Sequence, residues 1–224
     1  MQAQYSFSTA NVEANKGETV ALAISMNNGD VSVTSFQFDL YLPEGVTVQT
    51  DEGGKPMAQL SSRKSDHVVA TSRLKDGAYR FLAYSSQNRA FSGSSGVILT
   101  TNILLNGEPG EYDIKIKKGF ITQSGTFNEF ACTESTSKLK LVLPVESISF
   151  EQSSYSLKVD ESQTLKVNFL PEDASDKTLT WTSSAPDVAT VSEAGLVTGV
   201  TVGTATITAT SHNDKTAQCQ VTVN

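Results

Sequence analysis

In "TATITATS", residues 204–211, Ala205, Ile207 and Ala209 fall on one side and Thr204, Thr206, Thr208 and Thr210 on the other. A period of two is the pattern of a strand with one buried and one solvated face. The next run repeats it, with Ala217, Cys219, Val221 and Val223 opposed to Gln218, Gln220 and Thr222, so the "SHNDKT" between them reads as a hairpin loop. Short alternating runs punctuated by Gly, Asn, Asp and Pro continue along the chain, and no window long enough for a helix carries a helical period. This excludes helical layers and predicts an all-β fold.

In "SFQFDLYLPEG", Phe36, Phe38, Leu40 and Leu42 are expected to face inward and Gln37, Asp39 and Tyr41 outward. In "AYRFLAYSS", Tyr79, Phe81 and Ala83 oppose Arg80, Leu82 and Tyr84, and the guanidinium of Arg80 assigns its side to water. "VILTTNILL" places Val97, Leu99, Thr101, Ile103 and Leu105 together, and "GEYDIKIKKG" buries Tyr112, Ile114 and Ile116 while exposing Asp113, Lys115 and Lys117. Leu139, Leu141 and Leu143 share a face until Pro144, which cannot donate to a ladder and marks a strand end. The expected domains are therefore 1–143 and 144–224. In the second, Ile148 and Phe150, Leu157 and Val159, Leu165, Val167 and Phe169, then Leu179 and Trp181 form successive same-face sets, spaced as in a small sandwich.

Charge narrows the partners. The chain carries −7, with 13 basic and 14 acidic residues up to Leu143 and 4 basic and 10 acidic after it. Without a basic cluster, nucleic acid is not an expected ligand. No run approaches the ~20 apolar residues of a membrane span, so no membrane insertion is expected. The start "MQAQYSFSTANVE" has no basic segment followed by an apolar one, and a signal removed before Gln2 would leave the same start. Cys132 and Cys219 fall in different expected domains, and Cys219 sits among inward valines as a small hydrophobe; no disulfide is expected.

Catalytic chemistry finds little footing. His67 and His212 are the only histidines, one per domain; His67 reads as a strand-edge residue and His212 as a solvated loop residue. Asp51 with Glu52, and Glu172 with Asp173, are adjacent loop acids whose carboxylates diverge into solvent rather than flank a substrate bond. "NNGDVS" and "DEGG" hold oxygen donors without the spacing of a calcium loop, and no Cys/His cluster suits zinc. No catalytic residue, metal or cofactor is expected.

The segment "YSLKVDESQTLKVNFLPEDASDKTLTWTSSAPDVATVSEAGLVTGVTVGTATITATS" resembles the bacterial immunoglobulin-like group 2 domain, with its W-x-S-S-x-P-x-V-A-T-V, G-x-V-T-G and G-x-A-x-I-T-A pattern. The resemblance implies an Ig-like sandwich used as a spacer or adhesion module on exported bacterial proteins, with Trp181 as core aromatic; Asp160 stands where that family commonly has Gly. Residues 2–143 are similar to cohesin-like, carbohydrate-binding-module-like sandwiches through "VEANKGETVALAISMNN", "VTSFQFDLYLPEGVTV", "AYRFLAYSS", "GSSGVILTTNILL" and "GEYDIKI…GFIT". That resemblance implies a nine-stranded, jelly-roll-type sandwich with a flat sheet face used for protein binding. On it, Gln37, Asp39, Tyr41, Arg80, Leu82 and Tyr84 are expected to share one solvent face and to bind a partner. The same pattern also fits an ordinary amphipathic exterior, or a face covered by the second domain or a loop. The expected function is a noncatalytic, exported adhesion or scaffold protein recognising a surface protein. The alternative is a carbohydrate-binding module in which Tyr41 and Tyr84 stack on the sugars of a polysaccharide.

Overall fold

The computed structural model describes residues 5–224, so the first four positions of the expected first domain lie outside it. The described chain contains strands and no helix, and none of its segments is a helix long and apolar enough to cross a membrane. It divides into two compact units, one running to Leu141 and the other spanning Val142–Asn224.

The first unit contains β1 (Ser6–Thr9), β2 (Val12–Asn15), β3 (Thr19–Asn27), β4 (Val33–Tyr41), β5 (Val46–Val48) and β6 (Gln59–Leu60). It continues with β7 (Val68–Arg73), β8 (Tyr79–Tyr84), β9 (Val97–Leu105), β10 (Gly110–Gln123), β11 (Glu129–Ala131) and β12 (Ser135–Val142). One sheet runs β1-β3-β9-β5, with β6 also on β9; the other runs β2-β12-β10-β4-β8-β7, with β11 on β10. Their facing sides enclose Phe7, Phe36, Phe38, Phe81, Leu22, Ile24, Leu99, Ile103 and Ile121, all within 1% of complete burial. Phe38 stacks on Phe81 at 5.2 Å and tilts against Phe7 at 4.9 Å, so aromatic side chains bridge the two sheets.

Two bulges correct simple alternation. The β3–β9 register shifts between Ile24 and Ser25, opposite Leu99 and Val97. The extra residue changes the phase, so Val97 is 41% exposed and Ile98, rather than Val97, enters the core. The β10–β4 register shifts between Lys117 and Phe120. There Lys118 takes φ +49 and Gly119 turns inward against Phe7 and Cys132, so Ile121 is buried while Phe120 comes onto the outer side with Gln37.

The second unit contains β13 (Ser147–Phe150), β14 (Ser154–Leu157), β15 (Ser162–Thr164), β16 (Val167–Leu170) and β17 (Leu179–Ser183), then β18 (Ala189–Val191), β19 (Leu196–Gly199), β20 (Gly203–Ser211) and β21 (Thr216–Val223). Sheets β14-β21-β20-β17 and β15-β19-β18 and the pair β13-β16 surround Leu157, Leu165, Val197, Ala205, Ile207, Cys219, Val221 and Val223. The alternation of β20 and β21 is realised residue by residue, and Ser211 Oγ accepts the Lys215 N–H at 3.0 Å to close their hairpin. Trp181 is half-buried, 5.9 Å from the Phe150 ring, and lies over Gly195 so closely that a Cβ there would sit 2.6 Å from the indole.

Val159 departs from its expected inward set and is 42% exposed. β14 ends at Leu157, and the chain turns at once with the Lys158 N–H donating to Glu161 Oε2 at 2.8 Å. Asp160 holds φ +69 in that turn, a left-handed conformation that glycine adopts freely and Asp tolerates better than most residues.

Candidate binding face

β8 lies between β4 and β7. Ser35 faces Tyr84, Gln37 faces Leu82 and Asp39 faces Arg80 across one ladder, while Val68, Ala70 and Ser72 face Tyr84, Leu82 and Arg80 across the other. On the far side of β4, Phe120 is opposite Gln37 and Lys117 opposite Asp39, and Ala131 of β11 is opposite Phe120. The outward side chains of these strands therefore form rows across the sheet. Gln37, Asp39, Tyr41, Arg80, Leu82 and Tyr84 share this side of it, but they are not equivalent.

Asp39 corrects the expectation of a solvent-facing acid: its side chain is 0% exposed. Arg80 Nε and Nη2 donate to its two carboxylate oxygens at 2.7 and 2.8 Å, and Lys118 Nζ stands 3.9 Å away. The hydrogen bonds to Asp39 raise the pKa of Arg80 further above its ordinary value. Asp39 is thus a brace beneath the surface, reached only through its cations. Tyr41 is also engaged, donating its hydroxyl to Asp76 Oδ2 at 3.1 Å under the Lys117 ammonium, 5.8 Å from its ring. Gln37 and Leu82 are half-buried and Tyr84 is 44% exposed.

Phe120, Val68 and Ala70 went unrecognised in the sequence. Phe120 is half-buried beside Gln37, and Val68 is 50% exposed beside Tyr84. Strict alternation from Ile116 carries Phe120 inward; only the bulge reverses it, and its sequence trace is the "KKG" before it. With Leu82, Tyr84 and Ala131, these residues form an apolar band interrupted by Gln37.

Beyond the band the surface is charged but internally matched. Lys115 and Lys138 contact Asp113 at 3.4 and 2.7 Å, Lys117 contacts Glu134 at 3.8 Å, and Lys140 contacts Glu13 at 2.9 Å. Hydrogen bonding from Lys138 and then Lys115 holds the Asp113 carboxyl below its ordinary pKa. Such pairing leaves little net field to steer a distant charged partner.

The remaining candidates do not assemble chemistry. His67 is not a strand-edge group: it is 5% exposed, stacks on Phe91 at 3.5 Å between ring centres and accepts the Ser65 N–H on Nδ1 at 3.1 Å. Neighbouring Asp66 is turned to Ser85 and Gln87. His212 lies 3.7 Å from Asp176 in its loop. Asp51 Oδ1 accepts the N–H groups of Gly53 and Lys55 and so closes the "DEGG" turn, whereas Glu52, Glu172 and Asp173 are exposed. In "NNGDVS", Asn27 and Asn28 spend side-chain oxygens on Gly29 and Arg63. Among the described residues no cluster of His, Cys, Asp or Glu could hold a metal ion. Both cysteines are free; burial pushes the Cys132 thiol up to about 12 and the Cys219 thiol upward too, so neither is poised as a nucleophile.

Residues 144–221 match the family model of the bacterial Ig-like domain (group 2). For the first unit the similarity is structural. A cohesin module of a family 33 glycoside hydrolase from Clostridium perfringens aligns with a TM-score of 0.50 and 15% identity, covering 62% of this chain and 96% of that one. A non-cellulosomal cohesin from Archaeoglobus fulgidus aligns at 0.50 and 14%, covering 62% and 92%. Together they support an all-β chain of two sandwiches, cohesin-like and Ig-like. Among curated proteins, a 3-O-alpha-D-galactosyl-alpha-L-arabinofuranosidase of Bifidobacterium longum is 50% identical over 68 residues, which is 30% of this chain but only 6% of that enzyme. An Ig-like virion protein of Serratia phage KSP90 is 27% identical over 192 residues, covering 84% of this chain and 70% of that protein.

Proposed function

We propose that the chain is a noncatalytic binding component of an exported assembly, in which the first unit captures a protein partner on the outer side of its larger sheet and the Ig-like unit serves as spacer. The observation that carries this reading is the apolar band of Phe120, Leu82, Ala70, Tyr84 and Val68 beside charges already matched to one another. Exposed apolar side chains beside neutral, paired charge suit a protein surface bound through a few central anchors. The likeness of this unit to cohesin modules, and of the other to Ig-like domains, supports the same role and an extracellular setting.

A sugar platform is less well served. Tyr84 is opposite Ser35, six positions along β4 from Tyr41, which places the two rings on the order of 20 Å apart at ~3.3 Å per residue. Tyr41 is moreover committed to Asp76 and Lys117. A second setting, a phage particle, is favoured by similarity to the KSP90 virion protein along 192 residues.

The test is affinity capture from bacterial culture supernatant with the full chain and with a Leu82→Asp/Tyr84→Ala variant, read by mass spectrometry. A specific protein retained by the parent up to about 0.5 M salt, and reduced at least tenfold by the variant at unchanged thermal stability, is the expected result. Equal capture by both removes the proposed face. Multiple polysaccharide hits on a glycan array, lost with Tyr84, would replace the protein partner with a glycan.

A further inference from the structure

The rim of the first unit, at the end of the same sheet, presents a free strand edge. β7 is its terminal strand, paired only with β8. The Leu74 N–H donates to the Ala78 carbonyl at 2.8 Å, which fixes the hydrogen-bonding phase of this ladder. Counting back by twos, Ser72 with Arg80, Ala70 with Leu82 and Val68 with Tyr84 are the bonded pairs. The other ladder of β8 agrees: the Ser85 N–H donates to Thr34 O, assigning Tyr79, Phe81 and Ala83 to β4. The main-chain N–H and C=O groups of Val69, Thr71 and Arg73 therefore point away from the sheet, and no main-chain partner for them exists among the described residues.

This edge is unguarded. β7 carries no proline, its register with β8 runs unbroken from Val68 to Arg73, and its side chains before Arg73 are uncharged. Such edges invite another strand. Beside it lies a groove of about 350 Å³, with Val69 and Thr71 on one side and Asp51, Lys55, Met57 and Gln59 on the other. Thr71 Oγ1 bonds the Pro56 carbonyl and Thr101 Oγ1 donates to the Met57 carbonyl at 2.6 Å, fixing the far wall in place.

The geometry points to a site for an extended peptide that adds to β7 as a further strand, running along the free edge of β7 across the mouth of this groove. The alternating edge groups of Val69, Thr71 and Arg73 fit the main chain of a strand. The peptide residues that turn inward meet Val69, Met57 and Thr100, so small aliphatic or hydroxylated side chains are selected there.

The probe is a random heptapeptide library selected on the full chain against an unrelated β-sandwich protein, followed by titration of one selected peptide into the isotopically labelled protein. Amide shifts and slowed exchange are expected at Val69, Thr71 and Arg73. Val69→Pro, which deletes an N–H the β8 ladder does not use, should weaken binding at least tenfold, while Tyr84→Ala on the sheet face leaves it unchanged. A ligand-side experiment does not depend on that variant folding: N-methylation of alternate peptide residues should abolish binding in one phase and spare it in the other. Failure to enrich any peptide, binding indifferent to the methylation phase, shifts confined to the Leu82–Phe120 band, or concentration-dependent dimerisation through β7 would each overturn the site. Loss of peptide binding in Val69→Pro with protein capture intact would separate it from the face proposed above.

Discussion

Replacing Arg80 by Met tests whether Asp39 belongs to the binding surface or to the support beneath it. The Asp39 carboxylate is fully buried, and its two close hydrogen bonds both come from Arg80. Removing one partner of a fully buried pair costs roughly 3–5 kcal/mol because the other charge is stranded. Here Arg80 is 35% exposed and Lys118 Nζ stays 3.9 Å from the carboxylate, so the expected loss is about 2–3 kcal/mol. For a unit of this size that lowers the melting temperature by roughly 6–9 °C. Calorimetry of the full chain is the assay, because Trp181, the single tryptophan, reports only on the Ig-like unit. The first unit's transition should fall by that amount while the second stays fixed, and Asp39→Asn added to Arg80→Met should recover most of the loss. A shift below about 2 °C would show that water reaches the carboxylate, and the brace would have to be abandoned.

His67 makes the first unit sensitive to acid. With Nδ1 accepting from Ser65, its proton sits on Nε2, which makes no well-formed hydrogen bond, and burial, opposed by the Asp66 charge and by the nearby main-chain carbonyls of Arg89 and Thr34, holds its pKa below the ordinary value. Above about pH 6.5 neither folded nor unfolded state protonates, so stability is level; below it the unfolded chain takes up a proton that the folded one resists, and stability falls until the lowered folded pKa is reached. Denaturant titrations of that unit between pH 7.5 and 5 should show this decline, and His67→Gln should lessen it; equal slopes would remove His67 as the cause. In the second unit, Gly195→Ala combines a φ of +74 with a Cβ placed 2.6 Å from Trp181, which predicts a loss of about 2–4 kcal/mol and a changed indole emission. An unchanged midpoint by tryptophan fluorescence would refute that packing.

Much of the architecture was readable because a strand presents its side chains with a period of two. Ala205, Ile207 and Ala209, or Phe36 and Phe38 against Gln37, declare buried and solvated sides without reference to distant residues. The Ig-like motif around Trp181 carried the second unit, and the outward set of β4 and β8 named the sheet side on which a partner is proposed to bind. Alternation gave the wrong outcome at Val97, where one inserted residue changed the phase, and at Val159, where a strand stopped early; Phe120 went unread because a second bulge sets its side. A bulge is chosen by the neighbouring strand, so its trace in "KKGF" is faint.

Residue order alone carries the period of the strands, the punctuation between them and the charged or uncharged character of each outward position. Depth and adjacency come from the folded chain: that Asp39 lies beneath Arg80, that Phe120 joins Leu82 and Val68, and that Val69 and Thr71 line an open groove. Burial and hydrogen-bond satisfaction are properties of pairs of strands brought together from far apart in the chain, and a one-dimensional pattern fixes the side a residue takes but not what is laid over it.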